Sequence, residues 1–319
     1  MSELFGLAFP FFGLIFLGYG CGRFVRIPEE GLAWLSFFII YLALPALFYR
    51  IVSQTPFEEL VNPGFIVAVV VSTTTCALLA LGLGLWLRRG NVGEAAIATT
   101  VGAYANVGYM GPGLTLAALG QDAATPAALI FACDSLFFFT LVPLLMAVQG
   151  RGGSIGSTLL LVVKRVLTHP FNIATLLGVV SAAFEFRAPG AIEQMLDFLK
   201  NAAAPCALFT LGVTVALRPL GRVPTELAPL LALKLLVHPA IALVAMTALG
   251  TFSVPWVHTA VLMASLPPAL NCFVLARQYN CYVEQASASV LLGTVVSVVT
   301  VTGILYLIQQ NLLPLHLFG

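Results

Sequence analysis

The feature that most constrains this chain is a series of long apolar segments that contain few charged residues. A helix needs about 20 mainly apolar residues to cross a bilayer. Ten segments reach about this length, at residues 4–22, 31–53, 64–87, 94–119, 125–148, 166–184, 191–217, 227–249, 256–280 and 285–309. Charged residues make up 8% of the chain, against about 25% in soluble domains. The sequence therefore predicts an all-α polytopic membrane protein with ten transmembrane helices in a lipid bilayer.

The basic residues alternate between the connections. Most of the 14 Lys and Arg residues follow the odd-numbered segments, as Arg23, Arg26, Arg88, Arg89, Arg151, Lys164, Arg165, Arg218, Arg222 and Arg277. Positive residues collect in the cytoplasmic loops of membrane proteins. We therefore predict that these connections face the cytoplasm, and that both termini lie on the non-cytoplasmic side of the cell membrane. No signal peptide is predicted, because the start of the chain lacks a basic region.

The ten segments divide into five and five around a Gly/Ser-rich connection near the midpoint. Because five is odd, two such halves insert with opposite orientations. A weak internal match agrees, since Pro10-Phe11 recurs 160 residues later as Pro170-Phe171. The chain is thus predicted to contain two inverted five-helix repeats, residues 1–150 and 151–319.

Two of the apolar segments contain residues that interrupt a helix. In the fourth segment these are Gly108, Gly111 and Pro112, and in the ninth they are Pro267 and Pro268. Glycine carries maximal backbone entropy, and proline lacks an N–H group and clashes with the preceding turn. Interrupted helices in corresponding positions of two repeats indicate the binding site of a transporter.

The interruptions predict a site for an anion. Helices that restart near Pro112 and near Pro267-Pro268 would present free N–H groups and a partial positive charge of roughly +0.5 each. Two such ends suit a carboxylate that must bind and also leave. Asn106 and Asn271 lie beside the interruptions. They either hold the carboxylate or only satisfy the backbone groups that the interruptions free.

Three ionisable residues lie deep in apolar segments: Asp134, Lys234 and His238. Asp134 and Lys234 are either a pair that titrates and couples transport to protons, or a fixed ion pair, or Lys234 reaches the cytoplasmic face. His238 either joins this network or is a packed, hydrogen-bonded residue. Hydroxyls are the other polar groups in these segments, at residues 72–75 and at Ser287, Ser289, Thr294 and Ser297. They either coordinate Na⁺ or join helices to one another.

The sequence argues against several functional classes. It contains no His/Cys cluster, no HExxH, GxSxG or Walker A motif, and no basic stripe for nucleic acid. We therefore expect no metal, no cofactor, no enzymatic activity and no nucleic-acid partner. The pattern favours a secondary active transporter or uniporter for a small organic anion. The alternative is a channel, or a membrane sensor that binds a small organic acid without transporting it.

Several stretches resemble the auxin efflux carrier family, which includes plant PIN-type auxin carriers and bacterial permeases for malonate and malate. The stretches are Leu42–Leu47, Asn106–Gly113, His169–Asn172, Ala204–Gly212, Leu233–Pro239 and Leu266–Tyr279. The order of these stretches covers nearly the whole chain. One departure is that Gly113 occupies the position where the family more often has a proline. The long cytoplasmic loop of the plant carriers is also absent, so the resemblance does not imply auxin as the substrate.

The resemblance implies a fold and a mechanism. Helices four and nine would cross at their interruptions. Segments one, two, six and seven would form a scaffold, and segments three to five and eight to ten a transport domain that moves as an elevator. The family also implies a mono- or dicarboxylate substrate, H⁺ or Na⁺ as a coupling ion, and a homodimer formed through the scaffold. Phe139 matches an aromatic position near the ligand of the plant carriers.

Overall fold

The computed structural model describes residues 2–25, 29–60, 62–149, 160, 164, 168, 170–217 and 224–314. Several sequence-based expectations fall outside these residues. They concern the repeat boundary at residues 150 and 151, His169, Arg26, Arg151, Arg165, Arg218 and Arg222.

Helix is found in all ten predicted segments. The helices are α1 Ser2–Phe24, α2 Glu29–Phe38, α3 Leu44–Gln54, α4 Phe57–Leu60, α5 Pro63–Leu87, α6 Val92–Ala103, α7 Gly111–Leu119, α8 Ala124–Val148, α9 Pro170–Ala183, α10 Gly190–Ala216, α11 Leu227–Ala232, α12 His238–Leu249, α13 Val254–Ala264, α14 Leu270–Gln278 and α15 Val283–Gln309. Among the described residues, the only other pairing of chain segments is a single antiparallel bridge. The predicted all-helical class is confirmed.

Six helical stretches of the described residues are long and apolar enough to cross a membrane: Gly31–Gln54, Pro63–Leu87, Gln121–Val148, Gly190–Ala216, Leu227–Leu249 and Val283–Gln309. Shorter apolar helices are Phe12–Phe24, Val92–Ala103, Asn172–Ala183 and Val254–Ala264. The protein is therefore a multi-pass membrane protein. That all ten segments cross the bilayer stays a prediction.

Two of the long stretches contain a wider, π-helical turn. One turn is Ile39–Ala43 between α2 and α3, and the other is Leu233–Val237 between α11 and α12. Each ends two residues before a proline, Pro45 or Pro239. Because a proline ring clashes with the carbonyl four residues earlier, widening the preceding turn lets the chain remain helical. Such turns are frequent at functional sites.

The helices form two compact units. The first comprises Met1–Pro63, Gly108–Leu129 and Leu167–Pro219. It contains helices of predicted segments one, two, six and seven, and the second half of segment four. The second unit comprises Gly64–Val107, Ile130–Val166 and Leu220–Gly319. It contains the helices of segments three, eight, nine and ten, the first half of segment four and most of segment five.

In the first unit, α1 and α10 approach closely at two glycines. A Cβ on Gly18 would collide with the backbone of Phe209, and a Cβ on Gly212 would collide with the backbone of Ile15. Without a hydrophobic driving force inside lipid, small residues allow helices to gain packing contacts. The close approach of these two helices therefore depends on the absence of two side chains.

A charged cluster joins α3 and α10 in the same unit. Arg50, which is 6% exposed, donates from Nε and Nη2 to the two carboxylate oxygens of Asp197, both at 2.9 Å. Its Nη1 lies 3.3 Å from Glu193. A buried guanidinium is tolerated because this two-point geometry satisfies its donors.

The second unit is built around α6, where every residue from Ala95 to Ala103 is buried. This helix consists mainly of Ala, Gly and Thr, which lets neighbouring helices pack against its backbone. A Cβ on Gly102 would lie 2.8 Å from the Cβ of Ala80 on α5. Small residues thus place α6, and the interruption that follows it, inside the unit.

Polar residues from four predicted cytoplasmic connections meet at one end of the second unit. Arg88 forms ion pairs with Glu94 and Glu226 and lies 5.4 Å from the centre of the Tyr282 ring. The hydrogen bond to Glu94 raises the pKa of the Arg88 guanidinium above its ordinary value. The side chain of Gln149 donates to Asn91, the N-cap of α6, at 2.8 Å. These connections therefore lie together, as an alternating topology requires.

The packing of α1 and α10 predicts the effect of a single methyl group. Gly18→Ala should destabilise the protein by about 1–3 kcal/mol, because the added Cβ collides with the Phe209 backbone. Gly20→Ala is the matched control on the same helix, since a Cβ there would meet no atom within 4 Å. Thermal unfolding in detergent should give a lower midpoint for Gly18→Ala alone. Equal midpoints for the two variants would contradict the close packing.

Candidate functional site: two interrupted helices

The first interruption lies between α6 and α7. After α6 ends at Ala103, Tyr104 adopts an extended conformation, and residues 107–110 form a turn. The next helix begins at Gly111 with Pro112 as its second residue. A proline in the first turn of a helix loses nothing by lacking an N–H group. The predicted interruption and restart are confirmed here.

The second interruption lies between α13, which ends at Ala264, and α14, which begins at Leu270. The prediction that Pro267 and Pro268 start the new helix is wrong. They lie before it in non-helical chain, and Ala269 is an extended N-cap. Two physical reasons explain the difference. A residue that precedes proline is disfavoured from the helical region, and Pro268 is held in a β-bridge.

The two interruptions are hydrogen-bonded to each other. The Asn106 N–H donates to the Pro267 carbonyl at 2.8 Å, and the Ala269 N–H donates to the Tyr104 carbonyl at 3.0 Å. Between these bonds lies the antiparallel bridge, which joins Ala105 to Pro268. An unsatisfied backbone group costs several kcal/mol where no water is available, so each interruption supplies the partners that the other needs.

Neighbouring helices hold the second interruption in place. A Cβ on Gly293 of α15 would collide with the ring of Pro268, so the helix backbone packs directly against the proline. From α14, the Cys272 thiol contacts the Thr100 carbonyl of α6 at 3.3 Å. Both interruptions are therefore part of one packed structure within the second unit.

The two predicted asparagines both lie at this junction. Asn106 is 1% exposed, and Asn271, in the first turn of α14, is half-buried. The Asn271 Nδ2 donates to the Tyr104 hydroxyl at 3.1 Å. Neutral amides at the start of a helix can donate to an anion without adding a full charge.

Tyr104 was missing from the sequence-based set of site residues. Its buried ring stacks on Phe138, with centroids 4.5 Å apart, while Phe139 meets it edge-on at 6.5 Å. Phe138 is the fully buried member of the aromatic run and Phe139 is half-buried. The position of Tyr104 at a helix end, between an apolar helix and a break, could have indicated it. The role of Phe139 near a ligand stays a prediction.

Gly108, Gly111 and Pro112 belong to the first unit. There the first turn of α7 is stabilised by Thr115, whose hydroxyl donates to the Gly111 carbonyl at 2.8 Å. The participation of these three residues in substrate binding stays a prediction.

Lys234 lies at the end of a broken helix. Its ammonium group is fully buried and donates to the carbonyl of Ala264, the last residue of α13, at 2.5 Å. The last carbonyls of a helix lack partners and carry partial negative charge. A cation therefore stabilises this end. The alternative in which Lys234 reaches the membrane surface is wrong, because the side chain has no exposed area.

Asp134 and His238 line a second feature of this unit, a cavity of about 20 Å³. The Asp134 carboxylate accepts a hydrogen bond from Thr73 at 2.7 Å. Although Lys234 acts on Asp134 through its charge, no direct ion pair joins these two described residues. The proposed fixed ion pair is therefore replaced by two separate contacts, one to Thr73 and one to Ala264.

The second unit thus brings together seven of the predicted residues in two neighbouring groups. Asn106, Pro267, Pro268, Asn271 and Phe139 lie at or beside the hydrogen-bonded interruptions. Asp134 and His238 lie at the cavity. The α13 end links the two groups, because Ala264 lines the cavity and accepts the Lys234 hydrogen bond.

Known proteins that resemble this chain share its full length. A protein of Rhizobium meliloti (strain 1021) named "Putative malonate transporter" is 48% identical over 319 residues, covering 100% of both chains. An "Uncharacterized transporter" of Methanothermobacter thermautotrophicus is 26% identical, over 90% of this chain and 92% of its own length. Auxin efflux carrier component 8 of Arabidopsis thaliana is 22% identical, over 94% of this chain and 96% of its own.

The model of one protein family, described as membrane transport protein, matches residues 4–305. Its match extends over both interruptions and nearly all of the apolar segments. The resemblance to the auxin efflux carriers is confirmed by this match and by the similar carriers. The chain belongs to the membrane transport protein family, as a transport protein of the auxin efflux carrier type and not an enzyme.

Proposed function

We propose that this protein carries a small organic anion, a mono- or dicarboxylate, across the cell membrane by alternating access. One observation supports the proposal above all. Two interrupted helices are bonded to each other at their breaks, and Asn106 and Asn271 lie at that junction. Irregular backbone inside a membrane is tolerated where it is buried in protein or lines a cavity, and in transporters such breaks form the substrate site.

The chemistry of the junction favours a carboxylate. The start of α14 offers the partial positive charge of a helix N-terminus, and the nearby amides offer neutral donors. This attraction is weaker than that of an Arg side chain, so the anion can also leave. Gly108, Gly111 and Pro112 complete the proposed site through the start of α7, and Phe139 supplies an aromatic wall.

The proposed mechanism is of the elevator type. Helices of segments one, two, six and seven fall in one compact unit, and most helices of segments three, five and eight to ten fall in the other. This division supports a scaffold and a moving transport domain. We propose that the domains arise from inverted repeats at residues 1–150 and 151–319, with helices four and nine crossing.

Assembly, orientation and driving force complete the proposal. Two copies pair through the scaffold, and both termini lie on the non-cytoplasmic side. The meeting of residues from the odd-to-even connections at one end of a unit supports this orientation. Transport follows the gradient of the substrate itself or is coupled to H⁺ or Na⁺. The similar protein named for malonate makes malonate the first substrate to test.

Substitution of either asparagine at the junction should impair transport. Asn271→Ala and Asn106→Ala each remove donors to the carboxylate, and losing a hydrogen bond to a charged group costs about 1.5–3 kcal/mol. We therefore expect malonate exchange in proteoliposomes to fall by about tenfold or more. Asn201→Ala is the control, because Asn201 is exposed on α10 and should leave exchange unchanged.

Both junction variants should remain monodisperse, with unfolding midpoints near that of the unsubstituted protein. Exchange kinetics unchanged in both variants would remove the asparagines from the site.

Malonate binding should stabilise the purified protein. At a concentration of 100 Kd, a ligand that binds only the folded state adds about 2.7 kcal/mol of stability. The unfolding midpoint should therefore rise with malonate concentration. Malonamide is the matched control, since it keeps the carbon skeleton but lacks both charges. An equal rise with malonamide, or no rise with any of a panel of mono- and dicarboxylates, would contradict an anion site.

A channel or a sensor differs from a carrier in one measurable property. A carrier exchanges labelled malonate inside liposomes for unlabelled malonate outside, and the rate saturates with concentration. Flux that rises linearly with concentration would favour a channel. Binding without flux would favour a sensor.

A further inference from the structure

A small polar cavity lies within the second unit, beside the end of α13. Its volume is about 20 Å³, enough for one water molecule. Most of its wall is apolar, from residues such as Ile130 and Met246. The polar part of the wall comes from three helices: Ser72 and Thr73 on α5, Asp134 on α8 and His238 on α12.

Two buried polar atoms at this cavity have no hydrogen-bond partner among the described residues. They are Ser72 Oγ and His238 Nδ1. Ser72 is 3% exposed and His238 is 2% exposed. A buried polar atom without a partner costs about 1–3 kcal/mol. One water molecule held among Ser72, His238 and Asp134 would satisfy all three groups, because buried waters typically make about three hydrogen bonds.

The charges around the cavity make Asp134 sensitive to its surroundings. Thr73 stabilises the charged carboxylate by donating to it, while complete burial among apolar residues favours the neutral acid. The other titratable groups that face this region are Cys76, Tyr104, Cys133, Lys234, His238 and Cys272. Among the described residues, Lys234 is the cation of this group, and its ammonium is bonded to the end of the interrupted helix.

We propose that this cavity is the site of a coupling proton, with Asp134 as the proton acceptor and a bound water that links it to Ser72 and His238. The proton is taken from solution on one side of the membrane and returned to solution on the other, with no other reactant. The inference rests on the proposed anion transport, since it assigns the ion that accompanies the substrate.

Electrostatics link the proton to the anion. With Asp134 charged, its negative charge offsets that of Lys234. With Asp134 protonated, the buried region keeps the positive charge of Lys234, whose contact with Ala264 places that charge at the end of α13. An anion at the junction is then bound more favourably. By thermodynamic reciprocity, the anion also favours protonation of Asp134.

The same groups disfavour a sodium ion. A hard cation needs several oxygen ligands, whereas the cavity wall offers oxygens from Ser72, Thr73 and Asp134 and is otherwise mostly apolar. Lys234 also repels a second cation in this low-dielectric region. The proton requires no ligand shell, so it fits a site that holds one water molecule.

The test is accumulation of malonate in proteoliposomes under an imposed pH gradient, with the membrane potential clamped to zero. For each coupled proton, a gradient of one pH unit should concentrate the substrate about tenfold at equilibrium. This ratio does not depend on which way the protein is inserted. Asp134→Asn should lose the accumulation and keep malonate exchange. The matched control is Asp122→Asn, because Asp122 is exposed in the turn before α8.

A second pair of variants tests the site if Asp134→Asn fails to fold. Thr73→Val keeps the side-chain shape but removes the hydrogen bond to the Asp134 carboxylate. The proton should then bind more readily, and the pH midpoint of malonate exchange should move up by about one unit. Thr75→Val is the control on the same helix, since the exposed Thr75 bonds only to the Val71 carbonyl and its midpoint should not move.

The outcomes separate the two proposals. Exchange by the unsubstituted protein without accumulation under the pH gradient would overturn the proton site and leave anion transport intact. Accumulation driven by an imposed Na⁺ gradient instead would also overturn it, as would full accumulation in Asp134→Asn or an unmoved midpoint in Thr73→Val. An absence of exchange by the unsubstituted protein would instead contradict the proposed transport function.

Discussion

The structure depends on how a membrane helix can stop halfway. A break frees N–H and carbonyl groups that lipid cannot satisfy. Here two breaks satisfy each other, through the bonds from Asn106 to Pro267 and from Ala269 to Tyr104. The same bonds fix where α14 begins and hold its first-turn Asn271 against the Tyr104 hydroxyl. A requirement of the backbone thus positions the side chains that the proposed site uses.

Buried charges in this protein are placed where backbone or side chains compensate them. Lys234 binds the carbonyl end of α13, and Arg50 binds two carboxylate oxygens on α10. Asp134 differs, because one hydroxyl stabilises it and a small cavity lies beside it. Since an incompletely compensated carboxylate responds to added charge more readily than a paired one, this residue is the natural place for a titration that accompanies transport.

Much of this organisation can be predicted from the sequence, because it follows from local chemistry. Long apolar segments predict the helices, and Gly111, Pro112, Pro267 and Pro268 predict both interruptions. What the sequence could not give depends on contacts between distant residues. The bridge from Ala105 to Pro268 delays the start of α14 to Leu270, and the cavity at Asp134 depends on three helices meeting. No spacing along the chain encodes such meetings.

The central claim is that two bonded interruptions form the anion site, and a cryo-EM structure with bound malonate tests it most directly. We predict a carboxylate of malonate within hydrogen-bond distance of the Asn271 side chain or the first N–H groups of α14, with both interruptions present. Malonate bound elsewhere in the protein, or either helix running through without a break, would contradict the account.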